Sequence, residues 1–278
     1  MSNDQKTHPA PPQLQDAALS VENRIALLTM QRDDVRNELT GTSLVDDIVT
    51  TVKWANGAPD VSVLIITGEG SAFSSGGNVK DMQNKSGTFG GSPVEIQDHY
   101  RRAIQQIPLA LYSAEIPVIA AVNGAAVGAG FDLACMCDLR IASSRAKVSE
   151  AFINLGIIPG DGGAWFLQRL IGYQKAAELT LTGRLVNADE ALKLGLFLEV
   201  VEPDALIPRA FELASQMADK PPQALRLTKR LMKLAQRTEL PDFLDLCASF
   251  QSMAHHTDDH MEAVCAFLEK RAPDYTGK

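Results

Sequence analysis

From residue 14 to about 201, short apolar runs of strand length alternate with stretches of helical periodicity; beyond about 203 the strand-like runs stop. That alternation constrains the fold more than any other feature. Strands separated by helices pair side by side through crossover connections, which predicts an α/β core. The run 24–30 (RIALLTM) reads as a strand, paired through a turn at 21–23 with the segment before it. Leu44, Ile48 and Val52 recur at i+4 behind Ser43, a candidate N-cap. They predict a helix over 43–56, stopped by Gly57 and Pro59. The runs 62–67 (SVLIIT) and 117–122 (PVIAAV) are apolar without alternation, as in strands covered on both faces. Ile96, Tyr100, Ile104, Ile107 and Leu111 predict one long helix ending before Pro117. A helix near 129–136 and a strand at 139–142 follow, and 84–93 reads as a mobile excursion. After 203, helices are predicted at 204–219, 222–236, 241–254 and 258–270. The chain thus divides into a polar, poorly ordered tail (1–17), an α/β core (18–203) and a helical region (204–278) suited to capping or oligomerisation.

The charge balance excludes whole classes of partner. Lysine plus arginine number 26 against 34 acids, a net charge of −8, whereas nucleic acid and anionic membranes need a positive surface. No run of about 18 apolar residues is present, so no membrane span is expected. The first 16 residues lack a basic stretch followed by an apolar one, the pattern of a secretory signal. A cytoplasmic protein is the expectation. The thiols of Cys135, Cys137, Cys247 and Cys265 form no C-x-x-C pair, which argues against disulfides and zinc. The stretch His255, His256, Asp258, Asp259, His260 reads as a solvated turn, and no metal site is expected.

Two loops, each between an apparent strand and an apparent helix, are candidates for chemistry. One is Ala72-Phe73-Ser74-Ser75-Gly76-Gly77-Asn78-Val79-Lys80, the other Asn123-Gly124-Ala125-Ala126-Val127-Gly128-Ala129-Gly130. Small residues ahead of a helix N-terminus let a ligand approach free N–H groups. Two such loops are either a two-donor oxyanion hole or two tight turns required by packing. Dinucleotide, phosphate-loop, nucleophile-elbow and HExxH spacings are all missing. A third stretch supplies acids: Glu150, and Asp161 amid glycines and apolar residues, where desolvation raises a carboxyl pKa. Asp132 opens the helix after the second loop.

These segments resemble the crotonase, or enoyl-CoA hydratase/isomerase, superfamily. The resemblance rests on FSSGGNVKDM (73–82), IPVIAAVNGAAVGAGFDLACMCDLRIAS (116–143), LGIIPGDGGAWFLQRLIG (155–172), LTGRLVNADEALKLGL (181–196) and AFLEKR (266–271), in order over roughly 18–275. It implies a spiral of ββα units, and a C-terminal helical region that builds a homotrimer or a dimer of trimers. It implies an acyl-CoA thioester as substrate and no separate cofactor, since coenzyme A is part of the substrate. By motif position, the backbone N–H groups of Gly77 and Ala129 form the oxyanion hole. Arg32, Ser75 and Lys80 fall where the family contacts CoA, and Phe152 and Gly160 fall at the acyl pocket. Arg32 to Asn37 resembles the family's first CoA-lining segment, where Glu38 replaces the small residue usual in the family.

One departure bears on the reaction. A hydratase of this family typically uses two glutamates; the first position is Asp132 here, and the second, four residues before Gly156, is Phe152. Glu150 stands two residues too early, and the role is not carried onto it. Asp132 and Asp161 remain as the acid pair. The leading reading is hydration of a 2-enoyl-CoA. Behind it stand double-bond isomerisation, β-diketone hydrolysis (whose histidine position is also Phe152) and a CoA-binding homologue without catalysis. An RNA-binding role, known in one branch, is disfavoured by the charge.

Overall fold

The computed structural model describes residues 9–278. Strands β1 (Ala17–Glu22) and β2 (Ile25–Met30) form the expected antiparallel hairpin. Its turn residues Asn23 and Arg24 both have positive φ, 49° and 66°, the geometry that matches strand twist in a two-residue loop. Helix α1 (Leu44–Gly57) leads to β3 (Val63–Gly68), then β4 (Ala72–Ser74) and α2 (Val79–Asn84). The next turn of chain holds α3 (Pro93–Arg102), α4 (Gln106–Ser113), β5 (Val118–Val122), β6 (Ala125–Val127) and α5 (Ala129–Met136). After these come β7 (Leu139–Ser143), β8 (Lys147–Ser149), α6 (Gly163–Ile171), α7 (Tyr173–Thr182), β9 (Val186–Asn187), α8 (Ala188–Leu194) and β10 (Glu199–Val201). Four helices finish the chain: α9 (Leu206–Ala218), α10 (Pro222–Ala235), α11 (Leu240–His255) and α12 (Asp258–Glu269).

From β3 to β8 successive strands alternate between two sheets, which makes the core a spiral. One sheet runs β1-β2-β3-β5-β7-β10, parallel except at the first hairpin; the other runs β4-β6-β8-β9. Every residue of β3 and β5 is buried, which explains their unbroken apolar runs. One face of the larger sheet packs into the main core. On the other face, Ile25, Val63, Ile65, Ile119 and Ile141 meet Leu206, Ala210, Ala214 and Ala218 of α9. The first helix of the C-terminal region therefore belongs to the sheet's packing.

Two local expectations are corrected. The single helix over 96–111 is two, α3 and α4, broken at 103–105. Pro108 is the cause: inside a continuous helix its ring would clash with the carbonyl of Ile104, whereas in the first turn of α4 its missing N–H is no loss. The tail is also more ordered than expected from residue 9 onward; its first eight residues lie outside the described ones. The Gln15 and Asp16 N–H groups donate to the Asp47 carboxylate, and Trp54 Nε1 donates to the Pro9 carbonyl. The stretch read as an excursion contains a 3₁₀ turn, Gly87–Phe89, and a capping box between Ser92 and Glu95.

Helix α10 is fastened to the core by cations on one face. Arg226 donates to the carbonyls of Ala55, Asn56, Ala58 and Val61 around the end of α1. Lys229 donates to Ile116 O and pairs with Asp138 at 2.6 Å. Lys233 reaches the carbonyls of Leu111, Tyr112 and Ala114 at the end of α4. Helix C-termini leave carbonyls without partners, and cations there meet both the orphan acceptors and the dipole.

Candidate active site

The site is built at the carboxyl ends of three parallel neighbours, β4, β6 and β8. Clefts at such strand ends collect the loops that follow each strand. After β4 come Ser75, Gly76 and Gly77; after β6, Gly128 and Ala129 at the start of α5; after β8, Glu150. Close approach of these loops dictates their small residues. A Cβ on Gly130 would lie 2.2 Å from Ser74 O, so the chain there admits no side chain.

The loops wall an apolar cavity of about 100 Å³. Gly77, Ala129, Phe152, Gly160 and Asp161 all face it, with Tyr100 and Phe89 closing the far side. The N–H groups of Gly77 and Ala129 donate to no protein acceptor among the described residues. Gly128, at φ 54° and ψ −126°, turns the chain sharply into α5. The Phe152 ring lies over it, 3.7 Å from where a Gly128 Cβ would be. The position of the family's second glutamate is thus filled by a phenyl group, which exchanges no proton.

Asp132, Glu150 and Asp161 lie behind and beside this cavity, at 0%, 1% and 3% exposure. None of their six carboxyl oxygens has a hydrogen-bond donor outside the three carboxyls. Among the described residues, the only other buried side-chain polar atoms without a partner are Arg24 Nε and Ser62 Oγ. The three carboxyls face one another instead, and such a contact becomes a hydrogen bond once one of them carries a proton. Burial pushes Asp132 well above the usual carboxylate range, and the charges of Asp161 and Glu150 push it further. Glu150 is pushed up to about 7 by burial, against a hydrogen bond from Asp132. Asp161 is also raised by burial, against its own hydrogen bond from Asp132. Burial and both neighbouring carboxyls thus all favour the protonated form of Asp132. Asp132 also leaves no room at the start of α6: a Cβ on Gly163 would lie 2.1 Å from Asp132 Oδ1.

The structure thus brings together Asp132, Asp161, Gly77, Ala129, Phe152 and Gly160, and adds Glu150, which sequence reasoning set aside. Its signal was β8, a three-residue strand, Lys147-Val148-Ser149, too short and too polar to be read as one. With β8 in place, Glu150 occupies the strand end equivalent to the loops after β4 and β6. The CoA candidates lie on neighbouring segments, since the Ser75 N–H donates to Arg36 O, four residues past Arg32. Ser75 lines the cavity and donates to Val35 O; Lys80 is exposed in the first turn of α2. Arg32 is engaged by Asp16 at 3.3 Å and Asp34 at 2.9 Å. Glu38 accepts from the Asn78 amide, and Asn78 itself caps α2. At the α11–α12 turn His255 Nδ1 and His260 Nε2 are 2.9 Å apart, and all four cysteines carry free thiols. No helix among the described residues is long and apolar enough to cross a membrane.

Comparison with known proteins agrees with this architecture. Residues 20–278 match the family model described as enoyl-CoA hydratase/isomerase. A crotonyl-CoA hydratase of Syntrophomonas wolfei is 36% identical over 94% of this chain and 97% of its own length. A short-chain-enoyl-CoA hydratase of Clostridium acetobutylicum is 33% identical over 93% and 97%. The crystal structure of an enoyl-CoA hydratase from Bacillus anthracis superposes with a TM-score of 0.88 at 31% identity, covering 95% of this chain and 100% of that one. With the spiral core, the paired loops and a match over nearly its whole length, this chain belongs to the enoyl-CoA hydratase/isomerase family, the crotonase superfamily, and is an enzyme of that family.

Proposed function

We propose that the protein adds water to a 2-enoyl-CoA thioester. One observation carries the reading: Asp161 faces the same apolar cavity as the unengaged Gly77 and Ala129 N–H groups. The thioester oxygen accepts from those two donors. Asp161, as carboxylate, takes a proton from a bound water while the hydroxide adds to the β-carbon. The electron pair moves to the thioester oxygen, where the two N–H groups stabilise the enolate by several kcal/mol. The α-carbon then takes the proton from Asp161, which regenerates the carboxylate and balances one water added. Asp132 does not line the cavity; it supports Asp161 as a protonated hydrogen-bond partner. Burial keeps bulk water from competing for these charges. Ser75 and Lys80 are suited to the CoA moiety, Lys80 as an exposed cation for its phosphates.

The last helices support an oligomeric assembly. Helix α11 has no buried residue along its 16, and Phe267 and Leu268 of α12 are 83% and 73% exposed. A helix without a buried face gains too little from propensity alone. A homotrimer or a dimer of trimers would cover it.

Incubation with a panel of enoyl-CoA esters tests the reaction, read by mass spectrometry as gain of one water. Proton exchange at the γ-carbon without gain of water would favour the isomerase reading, which the presence of a single carboxyl at the cavity wall also allows.

A further inference from the structure

We propose that Glu150 is the third member of an active-site carboxyl chain, a positioning residue that holds the Asp132 proton from the side away from substrate. The proposal rests on the reading that Asp161 handles the substrate proton. Glu150 follows β8, and the carbonyl of Ser149 beside it accepts from the Gly128 N–H, which fixes Glu150 to the loop that leads into Asp132. Ala151 and Phe152 line the cavity, whereas Glu150 does not. It is 1% exposed, and neither of its carboxyl oxygens has a donor outside the carboxyl cluster. A buried carboxyl with that environment and no contact with the cavity has a structural cost and no packing purpose.

The groups around it define its task. From α5 come Asp132 and the Cys135 thiol, which burial keeps protonated. From the loop before α6 comes Asp161, with the Tyr100 phenol of α3 beyond it. Arg140 on β7 acts on Cys135, but no cation acts on Glu150. One proton on Asp132 is therefore shared between two acceptors. For Asp161 to act as base it must be ionised while Asp132 stays protonated. An ionised Glu150 enforces that arrangement, because its negative charge disfavours loss of the Asp132 proton. The three carboxyls titrate as a unit.

Glu150→Gln removes this charge and keeps the shape. The alkaline limb of kcat/KM is expected to move down by about 1 pH unit or more, with KM nearly constant, and Glu150→Asp to restore part of the shift. Infrared titration of the ligand-free protein, in the stretch region of protonated carboxyls, gives a readout that needs no turnover. The wild type should lose about one carboxyl's worth of signal near neutral pH, and Glu150→Gln should lack that step. An unchanged pH profile together with an unchanged infrared titration would overturn the proposal. If Glu150→Gln does not fold, a wild type with no carboxyl titrating near neutral pH overturns it alone. Should every ester in the panel go unconverted, the hydration reading fails while the infrared titration still decides the role of Glu150.

Discussion

The cations of α10 and the acids behind the cavity are both withdrawn from water, yet the fold treats them oppositely. Arg226, Lys229 and Lys233 each end on carbonyl groups that a helix or strand end had left over, and Lys229 also on Asp138. Asp132, Glu150 and Asp161 find no hydrogen-bond donor outside their own cluster. A buried charge with a full set of partners locks elements together. A buried acid without donors carries a free-energy penalty, of order 1–3 kcal/mol for each unsatisfied group. Such a cost persists where chemistry needs a proton held out of water. The comparison separates what holds this protein together from what makes it react.

The largest effect that would break the comparison is catalytic. Asp161→Asn and Asp132→Asn are each expected to lower turnover of the accepted ester by about 10²- to 10⁴-fold. The melting temperature at pH 8 should hold or rise, since in Asp132→Asn the new side-chain amide can donate to both neighbouring carboxylates. A sharp drop in melting temperature with turnover intact would place the acids beside the α10 cations as structural groups.

Lys229→Met probes the other region. Loss of a charged hydrogen bond and ion pair costs about 1.5–3 kcal/mol. At about 2–4 °C per kcal/mol, that is a fall in melting temperature of about 3–12 °C. Turnover per folded molecule should not change, because α10 contributes nothing to the cavity. Differential scanning calorimetry alongside the ester assay would expose any coupling between the two regions.

The smallest effects are proton linkages of opposite sign. Glu150 has its ordinary value of 4.5 when unfolded and about 7 when folded, so the folded state holds the extra proton between them. Its contribution to stability therefore falls as pH rises through that window. Burial lowers Lys233 from 10.5 to about 8, so there the unfolded state holds the extra proton. Its contribution rises as pH climbs from about 8 to 10.5. Relative to wild type, Glu150→Gln should thus gain melting temperature between about pH 5 and 7, by about a few degrees. Lys233→Met should lose ground as pH climbs above about 8. Parallel Tm–pH curves for either pair would remove the corresponding charge from the account.

Much of this was legible from particular residues. The runs 62–67 and 117–122 became β3 and β5 because burial on both faces leaves an apolar run without alternation. Ser43, Gly57 and the prolines near 221 and 241 marked helix ends within a residue or two. The glycine loops at 76–77 and 128–130 were visible because close backbone approach admits no side chain at Gly76 or Gly130. Pro108 was equally visible, but its break was overridden by an apolar period that runs through it. Three-residue strands such as β8 have too few residues for a period to register, and Glu150 went with β8.

What the sequence determined by itself is local: strand length, helix period, caps, and the need for small residues in two loops. Those depend on neighbours along the chain, and a repeating pattern records them. Only the tertiary structure decided that β4, β6 and β8 end side by side. That placement put Glu150 against Asp132, gave Asp161 a face on the cavity and left six carboxyl oxygens without a donor outside their own cluster. A carboxyl's pKa is set by the charges and solvent around it in space, and Asp132 and Asp161 are 29 positions apart along the chain. No pattern along the sequence measures that distance.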